Sequence, residues 1–396
     1  MSIFDRVTER SGGNAEKYAL RQKLFGTEDV LPMWVADMDI ETPQCVRDAV
    51  MKRAEHPVYG YEEMPRSAFE AQCGWMARRH GVTLEPEELL YSHSVVASIS
   101  AAIAAFTAPG DEVVVQPPIY PPFVSTIRHS GRKVLSNPLR QDAEGVYRFD
   151  LEGLEKQITP KTKLLLLCSP HNPVGRVWER AELEALAALC LRHGIRVFAD
   201  EIHSDLLFAG HRHTPFIALG EAVRAITLTA IGPGKSFNVA GLAISTVAMT
   251  DAAMRAEFKA VYDTIHFAQG TVFGHAGFEA AYREGEAWLE GLLVHLQGNI
   301  DKLSELLGRY EQIGFRPPEG TYLAWLDCRK MGFGSDKALR EFFIAEARLG
   351  LSPGISFGRE GSGFMRLNFA VPTPTMDAAL ERLEGALRGF EPIPGL

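Results

Sequence analysis

The chain has little cysteine: Cys45, Cys73, Cys168, Cys190 and Cys328, with no two in a C-x-x-C pair. An odd, scattered set argues against a disulfide framework or a zinc site, and fits a reducing cytoplasm. Long apolar runs are also missing. None approaches the ~18 residues of a membrane span, so no membrane partner is expected. Positive charge is in deficit, with 41 Lys and Arg against 50 Asp and Glu and a net charge of −9. That balance argues against a nucleic-acid partner gripped through its phosphates. The N-terminus, Met1-Ser2-Ile3-Phe4-Asp5-Arg6, is charged from the start and lacks a signal-peptide core. Low-complexity segments and internal repeats are absent too.

What is present is an ordinary globular composition, 46% hydrophobic and 23% charged over 396 residues. That length suggests two domains. One stretch stands out: Thr229-Ala230-Ile231-Gly232-Pro233-Gly234-Lys235-Ser236-Phe237-Asn238. A lysine after a Gly-Pro-Gly turn is either a surface cation, a charge for phosphate, or an amine that forms a Schiff base with a carbonyl. Gly234-Lys235-Ser236 imitates the end of a nucleotide-binding phosphate loop, but Thr229 stands where its first glycine belongs. The residues that follow read as a loop and then a strand over 243–249, not as the required helix.

Around this stretch, strand and helix signals alternate. Short apolar strands are expected at 89–91, 112–116, 133–136, 163–168, 195–199 and 225–229. Helices are expected at 65–80, from 95 to about 106, at 151–157 and at 179–192. Continuous apolar strands separated by helices imply an α/β fold, with a mainly parallel sheet covered on both faces. Ligands of such sheets sit at the carboxyl ends of the strands. Three polar clusters fall there: Ser169-Pro170-His171-Asn172-Pro173-Val174-Gly175, Asp200-Glu201-Ile202-His203, and Lys235. Read singly, the first is a turn and the second a helix cap. Their shared placement at one sheet edge argues for a site. Ser92-His93-Ser94-Val95-Val96 leads into a helix whose first N–H groups either are simply capped or meet an anion.

The remainder is organised differently. Residues 271–308 are strongly helical. Strands are expected at 321–327 and 364–369, and helices at 337–348 and 376–389. Period-two geometry places Phe364, Arg366 and Asn368 on one strand face. Arg366 either faces water at an edge or is buried against an anion. Leu31 to Asp39 reads as a strand with an aspartate-rich turn, and His56 to Tyr61 as a loop rich in aromatics.

Taken in order, Asn172-Pro173-Val174-Gly175, Asp200-Glu201-Ile202-His203, Lys235-Ser236-Phe237-Asn238 and Arg366 resemble the fold-type I pyridoxal-phosphate enzymes, the aminotransferase class I/II group. The segments 31–39, 59–61, 167–173, 200–203, 321–327 and 353–368 are similar to its cystathionine β-lyase branch, the carbon–sulfur lyases. The resemblance implies a seven-stranded-type sheet with helices on both faces plus a smaller α+β domain. It divides the chain into an N-terminal segment (1–48), a large cofactor domain (49–285) and a small domain (286–396). It implies pyridoxal 5'-phosphate as cofactor and an amino acid as substrate. Lys235 would carry the cofactor as an imine and move a proton on Cα. Asp200 would face the pyridinium nitrogen, with Asn172 and His203 near the phenolic oxygen and Tyr120 on the ring face. Val95 and Val96 would cradle the phosphate, joined by Tyr61 from the second subunit of a homodimer. Arg366 would clamp the substrate carboxylate, with Trp34 beside the substrate side chain. No metal is implied. The activity implied is β-elimination from a thioether, with aminotransfer as the alternative. One departure stands out: the family usually has a serine just before the lysine and another hydroxyl close by, where this chain has Gly234 and Gly232.

Overall fold

The computed structural model describes residues 2–265 and 270–393. Its centre is a seven-stranded sheet of β1 (Leu89–Ser92), β2 (Glu112–Val115), β3 (Lys133–Ser136), β4 (Thr162–Cys168), β5 (Arg196–Asp200), β6 (Thr227–Ile231) and β7 (Ser245–Ala248). The spatial order is β1-β7-β6-β5-β4-β2-β3. Pairing is parallel from β6 to β3, and β7 runs antiparallel to both of its neighbours.

The apolar strands are double-faced for a simple reason. Leu164 and Leu166 of β4 point to one side, Leu165 and Leu167 to the other, and each side is covered. Helices α1 (Gln44–Glu55) and α2 (Arg66–Trp75) precede the sheet. One side of it carries α3 (Val95–Phe106) and α4 (Pro121–His129). The other carries α5 (Leu151–Gln157) and α6 (Arg180–His193), with Leu154, Leu183, Leu186 and Cys190 buried on it. The first side is completed by α7 (Ala252–Ile265), through Met254, Phe258 and Tyr262. Ser94 caps α3, its Oγ accepting from the Ala97 N–H at 3.2 Å.

The long helical stretch after residue 270 is two helices, α8 (Val272–Glu284) and α9 (Glu286–Leu307). They break at Gly285, where an added Cβ would meet the Ala281 carbonyl and the Phe237 ring. A second, antiparallel sheet comprises β8 (Gly314–Phe315), β9 (Leu323–Asp327), β10 (Ser352–Pro353) and β11 (Phe364–Asn368), in the order β8-β9-β11-β10. Helices α10 (Asp336–Ala345) and α11 (Thr373–Leu387) complete this part. Met365 and Leu367 face its apolar core, and Arg366 and Asn368 face the other way.

Three expectations need correction. The strand before Lys235 lies two residues later than the 225–229 pattern suggests, because Glu221–Arg224 form a turn of helix that ends on Ala225. The Gly-Pro-Gly segment is more than a tight turn, because Pro233–Ser236 form one helical turn with proline at its first position. The 31–39 segment is a strand only at Leu31–Pro32, which pair in parallel with Leu349 and Gly350. Beyond that it is irregular and held by side chains. The Asn368 amide donates to the Val35 and Asp37 carbonyls at 2.7 and 2.6 Å. Asn238 donates to the Met38 and Ile40 carbonyls and accepts from the Met38 N–H.

Candidate active site

A cavity of about 570 Å³ opens at the carboxyl ends of β4, β5 and β6. Its wall includes Trp34, Val95, Val96, Tyr120, Asn172, Asp200, His203, Lys235 and Arg366. Nine of the ten residues picked from the sequence therefore meet in one space. The tenth, Tyr61, lies away from its own chain's cavity with 92% of its surface exposed.

Strand geometry sets the floor. Asp200 ends β5 and accepts from the Ile202 N–H at 3.1 Å. Burial raises its pKa to about 7, against the pull of that bond and of Lys235. A carboxylate in this position lacks a full counter-charge and favours a cationic partner. Lys235 lies across the floor, its Nζ donating to the Ala36 carbonyl at 2.5 Å. The same carbonyl accepts from the Tyr322 hydroxyl at 2.8 Å. Burial, reinforced by Arg366, lowers the Lys235 amine to about 8, so a substantial neutral fraction exists near physiological pH. His203 is buried with its Nδ1 unpartnered, and burial holds the ring well below its usual range.

The opposite wall is cationic. Arg366 is buried, so the reading of an edge arginine facing water is excluded. It donates to Asn172 Oδ1 at 2.9 Å and to the Trp34 carbonyl at 2.7 Å, and lies 4.7 Å from the Phe357 ring centroid. Its Nε is buried without a partner. Burial lowers its pKa to about 10, where it is still charged at neutral pH. A guanidinium this poorly compensated is a ready site for a carboxylate. Tyr120 keeps 36% of its surface exposed, leaving area for a planar ligand to cover.

Behind the floor, Asp205 ties the segment after β5 to the segment after β6. It accepts from Ser236 Oγ at 2.7 Å, from His80 Nε2 at 2.8 Å and from Trp75 Nε1 at 3.0 Å. Burial pushes this carboxyl up, but those bonds outweigh it and hold the group below the usual range. No local pattern signals this role, since Asp205 reads as one more acid in a turn. Ser352, whose Oγ donates to the Trp34 carbonyl at 2.9 Å, was equally silent. Asn238 could be found, because it lies three residues past Lys235 in the same stretch.

The donor set fits pyridoxal phosphate. It provides a primary amine with a lowered pKa, a buried acid wanting a cation, an unpartnered ring nitrogen on His203, an unpartnered N–H on Arg366, and the start of α3 at Val95 and Val96. Among the described residues no group of His, Cys, Asp and Glu could hold a metal ion. The family model for aminotransferase class I and II matches residues 28–383. The chain belongs to that family. It is 40% identical over 386 residues to the cystathionine β-lyase PatB of Bacillus subtilis (strain 168), covering 97% of this chain and 99% of that one. Among solved structures, cystalysin of Treponema denticola, which contains pyridoxal 5'-phosphate, superposes with a TM-score of 0.94 at 31% identity, covering 98% and 99% of the two chains. A PLP-bound protein of Clostridium difficile 630, provisionally named an aminotransferase, gives 0.95 at 36% identity, covering 97% and 99%. This aminotransferase-family chain is thus similar along nearly its whole length to proteins of both names.

Proposed function

We propose that the protein is a pyridoxal-phosphate-dependent carbon–sulfur β-lyase of the cystathionine β-lyase type. The observation that carries this reading is the convergence of Lys235, Asp200, Asn172 and Arg366 on one cavity, in a chain 40% identical to PatB. Lys235, Asp200, Asn172, His203, Tyr120, Val95 and Val96 would hold the cofactor, with Tyr61 contributed by the other subunit of a homodimer. When bound, the cofactor supplies an electron sink conjugated to the substrate Cα.

The chain's own groups do the rest. Asp200 gains a cationic partner at the ring nitrogen and stays ionised. Arg366 takes the substrate carboxylate, and Trp34 flanks the side chain beyond it. The neutral amine of Lys235 removes the Cα proton. The Cβ–S bond then breaks with its electron pair leaving on sulfur, which takes up a proton. The released unsaturated amino acid reacts with one water to give pyruvate and ammonia. The net change is thioether plus water to thiol, pyruvate and ammonia.

The likeness to the protein named an aminotransferase favours one alternative, transfer between an L-amino acid and a 2-keto acid. There Lys235 moves the same proton without loss of sulfur. Pyruvate release from L-cystathionine, with pyridoxal phosphate present and no keto acid added, separates the two. Sustained release supports the lyase. Its absence, with amino transfer once a keto acid is supplied, replaces the lyase by the transferase.

The homodimer draws support from four exposed apolar side chains within one short stretch of sequence, Met51, Val58, Tyr59 and Tyr61. Sedimentation as a monomer that carries a complete, active site would remove the shared-site role of Tyr61. Five free thiols are consistent with a cytoplasmic setting.

A further inference from the structure

The proposed cofactor and the α-carboxylate do not use every charge in the cavity. Its wall carries three basic side chains, Lys235, Arg366 and Arg340, against two acids, Asp200 and Glu16. Lys235 and Asp200 serve the cofactor, and Arg366 the α-carboxylate. Arg340 and Glu16 are left over.

Both sit where the N-terminal segment packs over the small antiparallel sheet's helix α10. Arg340 projects from α10 and donates through Nη2 to the Leu24 carbonyl. Its guanidinium carbon lies 5.7 Å from the Phe25 ring centroid. Its Nε is buried with no hydrogen-bond partner, and it makes no ion pair among the described residues. Phe25 in turn stands 6.4 Å, ring to ring, from Trp34, the residue placed beside the substrate side chain. Glu16 opens the short helix Glu16–Ala19 and is exposed. It too forms no ion pair among the described residues. A partly buried guanidinium held on a carbonyl has given up water without gaining an anion, so an incoming carboxylate gains fully. An exposed carboxylate gains less, because solvent screens it.

We propose that Arg340 and Glu16 form a distal subsite that selects thioethers by the charge on the leaving half. Arg340 reads an anionic group there and Glu16 a cationic one. This rests on the lyase reading above.

Three near-isosteric thioethers test it: S-(2-carboxyethyl)-, S-(2-aminoethyl)- and S-propyl-L-cysteine. The expected kcat/KM for pyruvate release by the holoenzyme is about tenfold to a hundredfold higher for the carboxyethyl than for the propyl compound. Arg340→Gln removes that preference and leaves the propyl compound within about twofold, while Arg340→Lys restores part of it. Glu16→Gln lowers only the aminoethyl compound, by about two- to fivefold. Equal rates for the carboxyethyl and propyl compounds, or an equal loss on all three in Arg340→Gln, would overturn the subsite. Calorimetric binding of L-2-aminopimelate and L-2-aminoheptanoate, which lack sulfur, separates this proposal from the lyase reading. Tighter binding of the dicarboxylate, lost in Arg340→Gln, supports the subsite even where no pyruvate forms. Equal binding overturns it even where pyruvate does form.

Discussion

The Arg366 guanidinium donates to the side-chain oxygen of Asn172 at 2.9 Å, joining a residue of the small antiparallel sheet to one at the edge of the large sheet. The bond fixes the Asn172 amide with its oxygen toward Arg366, which leaves Nδ2 as the donor for a ligand. Arg366 is held in turn by the Trp34 carbonyl, so the proposed carboxylate clamp is set from both sides. Replacement by lysine keeps the charge but loses the fork. Arg366→Lys should raise KM for the amino-acid substrate by about tenfold to a hundredfold, from the loss of charge-assisted bonds. A smaller change in kcat is expected, because the carboxylate is bound alike before and during reaction. Steady-state kinetics on L-cystathionine would read the split.

Asp200 gives a prediction on the cofactor-free protein. Its folded pKa of about 7 lies above the usual 3.8, so between those values the folded state binds more protons than the unfolded state. Stability from this group is therefore full below about pH 4, falls as pH rises, and is lost above about 7. The total is roughly 4 kcal/mol at 1.36 kcal/mol per pKa unit. Asp200→Asn should flatten this slope and leave the apoprotein more stable than wild type at pH 8, while weakening its hold on pyridoxal phosphate. Urea unfolding of both apoproteins from pH 4 to 8 checks it; parallel slopes would count against the burial argument.

Lys235 moves in the opposite sense. Burial lowers its amine to about 8 from the usual 10.5, so the neutral nucleophile accumulates two to three pH units earlier than on a surface lysine. The rate at which the apoprotein captures pyridoxal phosphate should rise from pH 6 and level off above about 8. Borohydride treatment of the loaded protein should leave the pyridoxyl group on Lys235 and on no other lysine. Stopped-flow absorbance and peptide mass spectrometry read the two outcomes, and Lys235→Ala should abolish both.

Much of this was legible beforehand, for identifiable reasons. The sheet could be read because strands buried on both faces are continuous apolar runs, as in Leu164 to Leu167. Lys235, Asp200 and Asn172 could be read because strand ends are where such folds put ligands. Asp205 could not, since its importance comes from Trp75 and His80, over a hundred residues away, and no local pattern records that meeting. Nor could Arg340, which on α10 looks like any solvated helix residue until the N-terminal segment folds over it. The 31–39 segment misled because its geometry is imposed by Asn368 and Asn238 instead of by its own backbone.

The two glycines that replace the family's hydroxyls are not equivalent. A Cβ on Gly232 would lie 2.9 Å from Ser245 Cβ and 3.0 Å from Ser245 Cα, so a backbone atom blocks it. A Cβ on Gly234 would be 3.6 Å from Ala240 Cα at its nearest, an ordinary contact. Gly232→Ser should therefore strain β6 against β7 and cost about 1–3 kcal/mol, with no better hold on the cofactor. Gly234→Ser should fold normally, because it lies within a helical turn where serine is favoured over glycine by a few tenths of a kcal/mol. Since Gly234 lines the cavity, the new hydroxyl adds one hydrogen bond toward the phosphate and should tighten pyridoxal-phosphate binding about fivefold. Pyridoxal, which lacks the phosphate, serves as the control and should bind unchanged. Equilibrium dialysis with both compounds decides the matter: equal tightening of the two would place the serine's effect elsewhere than at the phosphate.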